Sequence, residues 1–106
     1  MKRNMLLFVG MGSLFASAVM AQVPKHSYMP CSGYVANADT AVKIAVAVWS
    51  PIYGVRKIQA ERPFHAYLQD GVWTVKGSLQ RGRHGGVAIA EIARRDGRIL
   101  RVSHGK

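Results

Sequence analysis

The sequence predicts an α+β domain in which one apolar helix packs against a curved antiparallel sheet of about four strands. Three observations carry this expectation. Apolar residues recur at helical spacing over Val42, Ile44, Ala45, Val48, Trp49 and Ile52. From Phe64 to Lys76 the period changes to two, with apolar and polar residues alternating on both sides of Asp70-Gly71, a strong two-residue hairpin signal. A nearly continuous apolar run, Val87 to Ala93, is closed by Asp96-Gly97 and answered by Ile99 to Ser103, which reads as a second hairpin.

Before these elements comes a segment of a different kind. Lys2 and Arg3 precede an uncharged apolar stretch from Met5 to Met20, and Val19-Met20-Ala21 ends it in the manner of a cleavage site, so residues 1–21 read as a secretory signal peptide cut after Ala21. The stretch is interrupted by Gly10, Gly12 and Ser13 and falls short of the roughly 20 apolar residues that span a bilayer. A periplasmic protein without stable membrane insertion is therefore expected, with a retained amino-terminal anchor as the alternative. Cleavage removes two basic residues and no acidic one, taking the formal charge from +10 to +8. Outside the cytoplasm such a charge points to an acidic protein, anionic headgroups or wall polymers rather than to nucleic acid, for which no recognition motif is present. The remaining chain is one small domain, burying about 60–65 per cent of its unfolded surface. With Cys31 as the single cysteine, packing and not an internal disulfide must hold it together.

Residues 22–38, with Pro24, Pro30 and Gly33 and no periodicity, read as an irregular arm. Asp39 or Thr40 is expected to cap the helix that follows. Lys43 is its one charged residue before Ser50, so the helix is expected to be wrapped by the rest of the domain. Pro51 either ends it or kinks it into a last turn closed by Gly54. Additional strand pairing is expected from Val55 to Ala60. In the first hairpin, pairing Gln69 with Val72 puts Phe64, Ala66, Leu68, Trp73 and Val75 on a core face and His65, Tyr67, Thr74 and Lys76 on a wet face. In the second, a bulge at Gly97 pairs Ile92 with Leu100, Ala90 with Val102 and Glu91 with Arg101.

In this order the residues carry a likeness. Trp49-Ser50-Pro51-Ile52-Tyr53-Gly54, Arg62-Pro63-Phe64, Asp70-Gly71-Val72-Trp73-Thr74-Val75-Lys76-Gly77, Gly85-Gly86-Val87-Ala88 and the terminal Asp96 to Lys106 resemble small bacterial immunity proteins of polymorphic or contact-delivered toxin systems. The resemblance runs from about Asp39 to Lys106. It implies a cone-like fold of the nuclear transport factor two type, also called cystatin-like, and a non-enzymatic protein that binds and neutralises a cognate toxin. Together with the export signal it implies a toxin acting on peptidoglycan or the envelope. The alternative is a small exported envelope-binding module with no toxin partner.

Candidate contact residues fall in two places. The basic loop Gln80 to Gly86 lacks the Gly-Lys-Ser/Thr end of a phosphate cradle, but Arg81 and Arg83 can grip carboxylates of an acidic cleft, with His84 beside them. The wet face of the first hairpin offers His65, Tyr67 and Lys76. Related cone-shaped folds host isomerases, yet Glu91 is the one carboxylate expected inside a strand, and pairing with Arg101 accounts for it. No catalytic residue or cofactor is expected. His26, His65, His84 and His104 are too dispersed for a metal set. His104-Gly105-Lys106 reads as structural, the end of the last strand docking under the helix. Oligomeric state is not set by this pattern.

Overall fold

The computed structural model describes residues 25–105; the export signal expected over residues 1–21 lies outside them, as does Lys106. Helix α1 spans Ala38–Tyr53 and a short α2 spans Val55–Gln59, followed by β1 (His65–Gln69), β2 (Val72–Lys76), β3 (Ala88–Ala93) and β4 (Ile99–His104). The four strands form an antiparallel meander in the order β1-β2-β3-β4. Their curved, open sheet packs one face on α1. Among these residues no helix is long and apolar enough to cross a membrane.

The cap of α1 lies earlier than expected. Asn37, not Asp39 or Thr40, accepts the Thr40 amide on its side-chain oxygen at 2.9 Å, and the Thr40 hydroxyl donates to the same atom at 2.9 Å. Asn37 has the extended backbone of a cap residue, from which its short side chain reaches the third helical amide. Asp39 instead sits in the first turn, where its charge complements the helix dipole, and pairs with Lys43 at 3.1 Å. Pro51 lies inside the last turn. Gly54, at a φ of 104°, closes that turn by donating its amide to the Ser50 carbonyl.

The helix is not wrapped all round. Ala41, Ala45 and Trp49, at i, i+4 and i+8, are fully buried, with Val42, Ile44, Val46 and Tyr53 packed partly against the core, while Ile52 is 57 per cent exposed. One sheet supplies one covering layer, which is enough for a stripe and not for a circumference. Val55 to Ala60 likewise forms a helical turn and not a strand: Ile58 alone points into the core, and its amide bonds back to the Gly54 carbonyl.

In the sheet, Gln69 faces Val72, with Asp70 (φ 51°) and Gly71 (φ 75°) both left-handed as a primed hairpin turn requires. Trp73 and Val75 are buried, Phe64 and Ala66 half-buried, and Leu68 is 40 per cent exposed because β1 is an edge strand. Small Ala88 and Ala90 line the centre and let the helix approach, and Ile92 completes the buried face. Glu91 pairs with Arg101 and Ala90 with Val102, as expected, but Ile92 faces Ile99 and not Leu100. The turn is longer than a three-residue loop, with Gly97 (φ 78°) donating to the Ala93 carbonyl, and the register shift falls at Leu100.

The arm is less idle than its composition suggests. Tyr34 and Val35 donate their amides to the carbonyls of Arg95 and Arg94, Val35 is 1 per cent exposed, and its carbonyl accepts the Trp73 indole N–H at 2.7 Å. The last residues of the arm are therefore part of the core.

Candidate functional site

The six residues singled out as contacts are divided between two faces. Strand pairing places His65 opposite Lys76 and Tyr67 opposite Thr74, and the same rows continue to Ile89 and Ser103 and to Glu91 and Arg101 on the outer face of the sheet. Arg101 and Glu91 approach to 3.3 Å there. Arg83 and His84 belong to the other side, where the β2–β3 loop turns over the end of the sheet and lines a cleft of about 380 Å³ with Lys57 of α2. Arg81 is exposed on the same loop.

The stems of this loop are fixed by hydrogen bonds to neighbouring segments. After β2, the Ser78 hydroxyl donates to the Pro63 carbonyl at 2.6 Å, the Ser78 amide donates to the Glu61 carbonyl at 2.7 Å, and the Gln80 side-chain amide donates to the carbonyls of Ala60 and Arg62. Gln80 to Arg83 then forms a turn closed by the Arg83 amide on the Gln80 carbonyl at 3.0 Å, with Gly82 (φ 77°) at the position that requires a left-handed residue. On the return stem Gly86 lies against Gly105 so closely that a Cβ on Gly86 would overlap the Gly105 backbone. Arg81 and Arg83 thus stand between two anchored ends.

Beneath the loop is a pair that the sequence reading assigned no role together. Glu61, 9 per cent exposed, accepts the Ala88 amide on Oε1 at 2.8 Å, and its Oε2 lies 2.6 Å from His104 Nε2. His104 Nδ1 faces the Gly105 carbonyl, an acceptor only, at 2.7 Å, which assigns a proton to Nδ1. The ring packs against Tyr53 at the end of α1, centroids 5.1 Å apart. Four separate pieces of chain meet here: the end of α1, the approach to β1, the start of β3 and the end of β4. Three glycines leave room for them. At Gly77 a Cβ would run into the Glu61 side chain, and the Gly86–Gly105 contact closes the other flank.

Of the residues that carry the likeness, Gly77 and His104 meet Glu61 directly, and Gly86 and Gly105 pack on each other beside it. The sequence pattern does not single out Glu61, because the carboxylate's partners lie 27 and 43 residues away. The available signal was the set of glycines without a turn to explain them. Both oxygens of Glu61 are engaged, so the buried carboxylate is occupied in holding the fold. Among the described residues no group of three or more His, Cys, Asp or Glu is placed to hold a metal, and Cys31 is exposed.

Comparison with known proteins bears on the same stretch. A curated protein of Escherichia coli (strain K12), "Uncharacterized protein YhhH", is 34 per cent identical over 73 residues, covering 68 per cent of this chain and 58 per cent of that protein. The chain thus spans less than two thirds of that relative's length. No solved structure gives a significant match. The family described as NTF2 fold immunity protein, Imm-NTF2-2, matches residues 40–106, which includes α1 from its third residue onward, the whole sheet, the basic loop and the Glu61–His104 pair. With that match and this fold together, the chain belongs to the NTF2-fold immunity protein family.

Proposed function

We propose that this protein is a periplasmic immunity protein that binds a cognate secreted antibacterial toxin, one acting on peptidoglycan or the envelope, and neutralises it by occlusion. The family match over residues 40–106 is the observation that carries the reading. The supporting physical argument is the basic loop: Arg81, Arg83 and His84 stand on two anchored stems, which lowers the backbone part of the ordering cost of binding. Arginine is also frequent among binding hot spots because its planar fork grips carboxylates bidentately. Occlusion asks for no chemistry from the immunity protein, and the Glu61 carboxylate is hydrogen-bonded to the Ala88 amide and the His104 ring. The compartment rests on the sequence of residues 1–21, which carries a basic start, an apolar stretch and a small-residue end.

The test is a pull-down of the tagged chain, recovered from the periplasm, against the product of the neighbouring gene, with survival scored when that product is directed to the periplasm. A one-to-one complex with protection is expected. A chain that is exported but neither binds nor protects would return the alternative, an envelope-binding module.

A further inference from the structure

The cleft beside the basic loop has an unusual balance of charge. Its rim carries Lys57 from α2 and Arg83 and His84 from the loop, all exposed. Its single carboxylate, Glu61, is 9 per cent exposed and turned to the Ala88 amide and the His104 ring, so the exposed charged groups at the rim are basic. Two of its walls are glycine backbone, Gly85-Gly86 and Gly105, where no side chain keeps an incoming group from the main chain. The cavity, about 380 Å³, has room for one or two side chains and not for a folded segment.

We infer that this cleft is the contact point for an acidic segment of the partner protein, receiving an Asp or Glu side chain between Lys57 and Arg83. The inference rests on the proposed toxin-binding function and narrows it to one site. Charge complementarity selects the occupant: basic side chains on two different elements line one opening, and the guanidinium and ammonium groups would each donate to the same carboxylate. The carboxylate would also exchange water for those donors at a partly enclosed site, where such bonds are stronger than on open surface. Lys57 is the new residue. It comes from a turn that the sequence reading took for strand, and only the fold sets it opposite the loop. The outer-face residues His65, Tyr67 and Lys76 are on the far side of the sheet and would not share this contact.

Two arms test this. In the first, the full chain, purified from the compartment it reaches, is titrated with a capped acidic tripeptide (acetyl-Glu-Asp-Glu-amide) and followed by amide NMR. Saturable shifts confined to Lys57, Arg83 to Gly86 and Gly105 are expected, abolished in Lys57→Glu; shifts spread evenly over Lys and Arg residues, or none, overturn the cleft. In the second, association with the neighbouring toxin is compared for Lys57→Glu and for Lys43→Glu, an equal charge change on the exposed side of α1. At least a tenfold weakening is expected for Lys57→Glu and under threefold for Lys43→Glu; equal effects overturn a local site. If the wild-type chain does not bind the toxin, the proposed function fails, and the peptide arm still decides the cleft.

Discussion

Glu61 concentrates more of this structure's consequences than its place outside any helix or strand suggests. Its two oxygens serve a backbone amide and an imidazole that are otherwise without these partners. Replacing it leaves the buried Ala88 amide without its acceptor and the His104 Nε2 without its partner. Glu61→Ala is therefore expected to lower stability by about 2–3 kcal/mol, read as a shift in the urea midpoint, since an unsatisfied buried group costs roughly 1–3 kcal/mol and charged partners lie at the upper end. Gly77→Ala attacks the same point from the other side by pushing its methyl into the Glu61 side chain. A loss of about 1–3 kcal/mol is expected, as for overpacking elsewhere. Gly71→Ala differs, because nothing lies within 4 Å of the added Cβ and only the left-handed backbone resists it. About 1 kcal/mol is expected there. A Gly77→Ala variant as stable as wild type would contradict the packing of this corner.

At the level of elements, the legible and illegible parts of the chain divide by sequence distance. The Asp70-Gly71 hairpin could be read because turn and alternation are local and agree with each other, and its register matches pair for pair. The Glu91–Arg101 pairing followed from the same logic. Two elements were hidden by competing local signals. Residues 55–60 hold one Val and one Ile near a glycine, a pattern too short to separate strand from helical turn. Asn37 lay behind two other competent caps, and only the entry angle of the chain selected it. That choice is measurable: Asn37→Ala is expected to cost about 1 kcal/mol and Asp39→Ala under about 0.5, compared by thermal denaturation. The candidate contacts were half legible. Arg81, Arg83 and His84 could be found as a basic glycine-rich run, whereas Lys57 and the Glu61–His104 pair depend on contacts across the whole domain, and the separation of Tyr67 from the loop appears only when the sheet has two sides.

For the whole molecule the formal charge, +10 for the full sequence and +8 once Lys2 and Arg3 leave with the expected signal peptide, acts beyond any single contact. If the partner surface is acidic, raising ionic strength should slow association while changing dissociation less, because screening weakens long-range steering before it reaches enclosed pairs. Stopped-flow association at two salt concentrations measures this, and equal rates would remove steering from the account. A last consequence concerns where the domain begins. The stretch shared with the family starts at Thr40, yet Val35 fills the core and supplies the carbonyl that receives the Trp73 indole, and Tyr34 and Val35 tie the chain to the β3–β4 turn. The unit that folds is thus longer than the unit that is recognised. A fragment cut at Thr40 would lose the Asn37 cap and leave a buried indole N–H unanswered, so any transplant of this domain between proteins has to carry the residues from Gly33 onward to remain itself.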